Sequence, residues 1–143
     1  MKKIIIGIIC VLLVLIAVFS YWNITTYNKI NEVKKFNNEF LKFTDKKILN
    51  GVEITTVMNK AIDINEQNGV KKDENGAYIL NDENSIEILV QPNVNGEYFL
   101  MEAFQKSGMK SFTDLYGNFG FITKKIEKHQ NGKISKIIFE SAK

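Results

Sequence analysis

The chain has 143 residues and a formal net charge of +3, and all 19 of its basic side chains are lysines. Beyond residue 22 there are 17 lysines against 16 acidic residues, and this balance excludes the clustered positive surface that nucleic acids require. The single cysteine, Cys10, lies in an apolar stretch near the amino terminus, which excludes disulfide and thiol chemistry from the rest of the chain.

The first predicted element is a transmembrane anchor over residues 1–22. The stretch from Ile4 to Phe19 carries no charge; two lysines precede it, and Tyr21 and Trp22 follow it. A helix from Ile4 to Trp22 reaches about 28 Å, close to the roughly 30 Å hydrocarbon thickness of a bilayer. The alternative is a cleaved signal peptide, but such a peptide has a shorter apolar region that ends in small residues. Length and the aromatic pair favour the anchor.

The predicted location is the cell membrane, with one span, the amino terminus in the cytoplasm and the carboxy-terminal domain outside. Lysine counts near the two ends of the span do not favour this orientation. The opposite topology, however, would translocate Lys2, Lys3 and the terminal amine, whereas long carboxy-terminal domains cross largely regardless of charge. We therefore expect an extracytoplasmic domain.

Helical periodicity continues beyond the anchor and predicts a juxtamembrane stalk helix over residues 23–47, followed by a small domain over residues 48–143. The apolar positions of the stalk recur every three or four residues: Ile24, Tyr27, Ile30, Val33, Phe36 and Phe40. The segment GVEITTVMNKAIDINEQ repeats this spacing. It predicts a second helix that ends at Asn68-Gly69, because both residues tolerate positive φ.

Alternating side chains predict an antiparallel sheet of three to four strands. SIEILVQ is a candidate strand, EYFLMEAF is its candidate partner, and the carboxy-terminal segment favours a hairpin with a two-residue turn at Asn131-Gly132. This turn would pair Ile126 with Ile137 and Glu127 with Lys136. It would place the following side chains on one inner face: Ile122, Ile126, Ile137 and Phe139. The predicted fold class is α+β, with the long amino-terminal helix, one further helix and this small sheet.

The hairpin is also the predicted interaction site, because it concentrates lysines. Six lysines accompany two glutamates from Phe119 to Lys143, whereas nine acidic residues accompany two lysines from Ala61 to Glu102. A basic hairpin favours an anionic partner such as lipid headgroups, an anionic wall polymer or the acidic face of a second copy. The alternative is that the basic and acidic segments face each other or water. The candidate interaction residues are Lys124, Lys125, Lys128, Lys133 and Lys136.

Catalytic motifs are weak. Ser107 and Lys110 have the S-x-x-K spacing of acylating serine enzymes, in which a lysine one helical turn away activates the hydroxyl, but the partner motifs S-D-N and K-T-G are absent. Asp73 begins a segment similar to a calcium loop, yet Ala77 replaces a required oxygen ligand. His129 is the only histidine. We predict no enzyme activity, no metal and no cofactor, and keep a small serine-type enzyme as an alternative.

The segments "GVEITTVMNKAIDINEQNGVKKDENGAYILNDENSIEI" and "KKIEKHQNGKISKIIFE" resemble an uncharacterised family of short single-pass membrane proteins of low-GC Gram-positive, clostridial-type bacteria. This resemblance covers roughly residues 36–140 and implies an anchored domain without a known catalytic motif. A pilin-like or pseudopilin-like assembly subunit is an alternative, although Gly7 lies inside the apolar run and position 12 is a leucine. We therefore expect a membrane-anchored binding or assembly module, with self-association as one option.

Overall fold

The computed structural model describes residues 2–81 and 83–142 and divides the chain into two compact units, Met1–Lys35 and Phe36–Lys143. Helix α1, Lys2–Thr44, runs through the first unit and continues into the second. Among the described residues it is the one helix long and apolar enough to cross a membrane, a test that signal sequences also pass. Its large apolar side chains are exposed from Ile4 as far as Ile30. The helix is consistent with a single-pass membrane anchor.

The second unit confirms the α+β class. Its elements in chain order are β1 (Leu49–Asn50), α2 (Gly51–Gln67), β2 (Glu87–Gln91), β3 (Phe99–Leu100), α3 (Met101–Ser107), α4 (Met109–Tyr116), β4 (Gly120–Lys128) and β5 (Ile134–Ser141). The strands form one sheet in the order β1-β4-β5-β2-β3. One face of this sheet packs against the helices in the hydrophobic core.

The observed sheet differs from the predicted one in the number of its strands and in the relative direction of two of them. It has five strands rather than three or four, and it is mixed because β2 and β5 run parallel while the other neighbours run antiparallel. Within the described residues, the short helices α3 and α4 accompany α2, the one further helix of the predicted fold class. Residues 92–133 separate β2 from β5, so no local pattern could indicate that these two strands pair.

The compact unit begins inside α1. Phe40 is fully buried in the core, and the buried Asn37 binds the start of β5 through both ends of its amide. Its Nδ2 donates to the carbonyl of Gly132 at 2.9 Å, and its Oδ1 accepts from the N–H of Ile134 at 2.8 Å. The part of the predicted stalk that starts at Phe36 therefore contributes to the fold of the sheet unit.

Helix α2 has the predicted bounds because both of its ends carry strong local signals. The Asn50 side chain accepts from the Glu53 N–H at 2.9 Å, and Glu53 accepts from the Asn50 N–H at 3.0 Å, which completes a capping box. Asn68 ends the helix, and Gly69 follows at a φ of +64°. The buried Asn65 lies in the last turn.

The carboxy-terminal hairpin confirms the predicted pairs of Ile126 with Ile137 and of the adjacent glutamate with its lysine. The turn is different, however. The His129 N–H donates to the carbonyl of Lys133, and Gly132 has a φ of +86°, which defines a three-residue loop with a glycine bulge. A register shift between Glu127 and Lys128 then compensates for the longer loop, so the pairs beyond it match the prediction.

A bulge at Lys124 reverses the faces of the first half of β4. Thr123 pairs with the inward Phe139, so Ile122, which pairs with Glu140, points to the opposite face. Phe121 is fully buried in the position predicted for Ile122. The prediction that Ile122 belongs to the inner layer is therefore wrong.

Candidate functional site

The face of the sheet opposite the core, here called the outer face, remains partly exposed. Strand alternation assigns its members, because the neighbouring residues Ile88, Val90, Ile137 and Phe139 are all fully buried. The outer face comprises Glu87, Leu89 and Gln91 from β2, Leu100 from β3, Ile122, Lys125 and Glu127 from β4, and Lys136, Ile138 and Glu140 from β5. One side of the sheet therefore belongs to the core, and the other side is partly open to solvent.

An open hollow of about 450 Å³ lies at the centre of the outer face. Leu89 and Ile138 pair across β2 and β5 and supply its apolar floor. Tyr98, Lys124 and Lys125 line the rest. The hollow can hold an apolar side chain on its floor, and its polar rim is the kind that surrounds apolar interaction sites.

A three-residue network borders this hollow. Lys124 Nζ donates to Glu140 at 2.7 Å and to the Tyr98 hydroxyl at 2.8 Å, and the Tyr98 hydroxyl donates to Glu140 at 3.2 Å. The hydrogen bond that Lys124 donates to Glu140, followed by the one that it donates to Tyr98, raises the pKa of Lys124. The same lysine lowers the pKa of Glu140. The network holds Tyr98 beside the apolar floor.

Two more ion pairs lie on the outer face. Lys136 Nζ is 2.6 Å from Glu87, and Lys125 Nζ is 2.7 Å from Glu127. The hydrogen bond to Glu87 raises the pKa of Lys136, and the hydrogen bond from Lys125 lowers the pKa of Glu127. Three of the five predicted interaction lysines are therefore neutralised by glutamates of the same unit.

The remaining two predicted lysines lie elsewhere on the hairpin. Lys133 Nζ donates to the Asn84 side chain at 2.9 Å and lies 5.5 Å from the ring centroid of Phe36. Lys128 is exposed at the end of β4. The five lysines do not form one uniform basic patch, and they divide between the outer face and the turn end of the hairpin.

Ser107 and Lys110 lie on different helices. Ser107 ends α3, Gly108 breaks the helix at a φ of +94°, and Lys110 lies in the first turn of α4. Lys110 Nζ is 2.8 Å from Asp114, whose hydrogen bond raises the pKa of this exposed lysine. A lysine that activates a serine must accept its proton, and a raised pKa opposes that role.

The acidic loop and the histidine have structural partners. Asp73 Oδ1 accepts from the N–H groups of Asn75 and Ala77, both at 2.9 Å, and so closes the turn. His129 Nε2 lies 2.7 Å from the Ser85 carbonyl. Within residues 2–81 and 83–142, no group of three His, Cys, Asp or Glu side chains is placed to hold a metal ion.

The site residues predicted from the sequence did not include Leu89, Tyr98 or Ile138. The available signal was the alternation in "KIIFE", where Lys136, Ile138 and Glu140 share a face and Ile137 and Phe139 share the other. The joining of this face to Leu89 depends on the parallel pair and has no local signal. No family model matches the chain, and neither a curated protein nor a solved structure matches it at a significant level.

Proposed function

We propose that the chain is a membrane-anchored binding or assembly module that recognises a protein partner through the outer face of its sheet. Helix α1 supplies the anchor, the amino terminus lies in the cytoplasm and the sheet unit lies outside. The long apolar helix supports the anchor. Lys2, Lys3 and the terminal amine support the orientation, because they are costly to translocate.

The observation that carries the proposal is the apolar hollow on the outer face. Leu89 and Ile138 are only partly covered although they lie near the middle of a five-stranded sheet. Partly exposed apolar floors with aromatic and charged walls are typical of surfaces that bind proteins. Tyr98 is a suitable central contact because tyrosine buries a large area at a low cost in conformational entropy.

The ion pairs favour a protein partner over an anionic polymer or lipid headgroups. Lys124, Lys125 and Lys136 each contact a glutamate, so the outer face carries no net charge from these pairs. An anionic polymer would have to separate the pairs or leave the glutamates facing its own charge. A protein surface with an apolar centre can cover the hollow and leave the pairs intact.

The topology is tested by protease treatment of intact cells that carry a carboxy-terminal tag, together with the intact mass. Loss of the tag from full-length protein supports the anchored, outward orientation. A protected tag would overturn the orientation. A mass lower by about 20 residues would show that the apolar segment is a cleaved signal.

The binding face is tested by site-specific photo-crosslinking in cells. A benzophenone amino acid replaces Leu89 on the outer face or, as the matched control, Ile79, an exposed apolar residue outside that face. Adducts from Leu89 and not from Ile79 support the proposed function. Equal or absent adducts at both positions would overturn it.

A further inference from the structure

Strand β5 presents an unusual charge pattern on the outer face. Its outward side chains are Lys136, Ile138 and Glu140, so a cation and an anion lie at equal separations on either side of an apolar centre. The same row continues from Ile138 to Leu89 and then to Leu100 through the strand pairs. If a second copy of the strand is turned by 180° about an axis at Ile138, its anion lies opposite the cation of the first copy.

We propose that the partner of the outer face is a second copy of this chain, stacked sheet on sheet about a twofold axis that crosses β5 at Ile138. In this arrangement Lys136 of each copy faces Glu140 of the other, and Ile138 and Leu89 each face their own counterparts. The closed twofold arrangement forms the contact between Lys136 and Glu140 twice. The inference rests on the proposed function, because it names the partner of the same face.

The charges of the face support this partner. The outer-face ion pairs join Lys124, Lys125 and Lys136 to one glutamate each, so these pairs give the face of each copy no net charge. Lys136 and Glu140 are already hydrogen-bonded within their own chain, so each is partly desolvated before the copies meet. Lys125 pairs with Ile138 across β4 and β5 and so faces its own counterpart, and in each copy the ion pair with Glu127 offsets its charge.

The area of the face predicts a weak association. Five strands at about 4.8 Å spacing and about five residues at 3.3 Å give a face of roughly 400 Å², or roughly 800 Å² for both copies. Stable interfaces bury about 1,200–2,000 Å². Two copies anchored in one membrane overcome this deficit because confinement raises their effective concentration. We therefore expect association in membranes that is lost on dilution with lipid.

The contact at the axis is tested on the purified full chain in phosphatidylcholine vesicles. Cys10→Ser removes the native thiol, and Ile138→Cys places a new thiol at the axis. A short bismaleimide spans the roughly 10 Å between stacked sheets and joins two such thiols. The matched control is Lys110→Cys on α4, whose side chain is 87% exposed. We expect at least about fivefold more crosslinked dimer from position 138, and equal yields would overturn the inference.

Exchanging the two charged residues of β5 tests whether Lys136 of one copy faces Glu140 of the other. In the Ile138→Cys background, Lys136→Glu sets two glutamates against each other across the interface, and Glu140→Lys does the same with two lysines. Each change alone should lower the dimer yield about fivefold, and the double change should restore most of it, because the opposite charges face each other again.

The exchange also separates this inference from effects within one chain. Inside each chain the double change leaves like charges beside Glu87 and beside Lys124, so intrachain effects alone predict that the double variant is the weakest. That result would overturn the inference. If position 138 shows no excess dimer while the photo-crosslinker at Leu89 captures a different protein, self-association is overturned and the proposed function stands. If position 138 shows no excess dimer and the photo-crosslinker at Leu89 captures no protein, both self-association and the proposed function are overturned.

Discussion

Asn65 is expected to be a main determinant of the stability of the sheet unit. Its side chain is fully buried between α2 and the segment that leads into β2. Nδ2 donates to the Ile86 carbonyl and Oδ1 accepts from the Ile86 N–H, both at 2.8 Å. Asn65→Ala removes both partners and leaves a donor and an acceptor of the buried Ile86 without them.

The expected loss follows from these two bonds. A buried polar group left without its partner costs about 1–3 kcal/mol, so the two together predict a loss of about 2–6 kcal/mol in the free energy of unfolding. The higher helix propensity of alanine returns roughly 0.5 kcal/mol. The net loss, about 1.5–5.5 kcal/mol, is a large share of the stability of a typical domain.

The assay is pulse proteolysis of the full chain in detergent micelles across a urea series, with the intact carboxy-terminal tag as the readout. Asn68→Ala is the matched control, because it removes a similar amide whose exposed Nδ2 donates to the Asn84 carbonyl at 3.2 Å. The control should lose less than about 1 kcal/mol. A difference between the two variants below about 0.5 kcal/mol would refute the assignment of Asn65 as the partner of Ile86.

Three further predictions concern α2 and the charge pairs. Gly51→Ala should destabilise the unit strongly, because a Cβ at this position would lie 2.1 Å from the Tyr116 carbonyl oxygen. Asn50→Ala should cost about 1 kcal/mol through loss of the capping box. The free energy of unfolding should also fall in acid. Lys46 lowers the pKa of Glu53, and Lys124 lowers the pKa of Glu140, in each case below the ordinary 4.5. The two glutamates therefore contribute fully to the free energy of unfolding above pH 4.5. This contribution is lost as the pH falls through their lowered pKa values.

The same urea assay measures all three. Gly69→Ala is not a suitable control for Gly51→Ala, because Gly69 has positive φ, whereas Gly7→Ala meets open space and should leave the midpoint unchanged. Asn50→Asp should retain the cap, and equal losses from aspartate and alanine would contradict the capping argument. Glu140→Gln should weaken the acid dependence, and an unchanged profile would show that this carboxylate does not contribute.

Local signals predicted the elements whose structure depends on neighbouring residues. Helix α2 followed from its spacing and from Asn68-Gly69, and the register of the carboxy-terminal hairpin followed from the Ile126–Ile137 pair. The segment EYFLMEAF was predicted as a strand, but only Phe99 and Leu100 are extended. The helix formers from Met101 onward begin α3 instead.

The features that the sequence did not indicate depend on distant contacts or on single-residue irregularities. The parallel pairing of β2 with β5 creates the hollow by placing Leu89 beside Ile138, and no short pattern announces it. The bulge at Lys124 turns Ile122 outward, although its spacing from Ile126 indicated the same face. The lysines of the hairpin were visible, but the pairing of Lys136 with Glu87 required the fold.

The place of β5 in the sheet has a consequence for the order of folding. It lies between β4 and β2 in the sheet, yet it follows every other strand along the chain. The β1–β4 and β2–β3 pairs therefore remain disconnected while the ribosome synthesises the chain, and they join only when Ile134–Ser141 becomes available. Such non-local closure is slow, because the loop entropy must be lost before the contacts form. Completion of the sheet, and with it the burial of its inner face, is therefore expected to be a late step of folding.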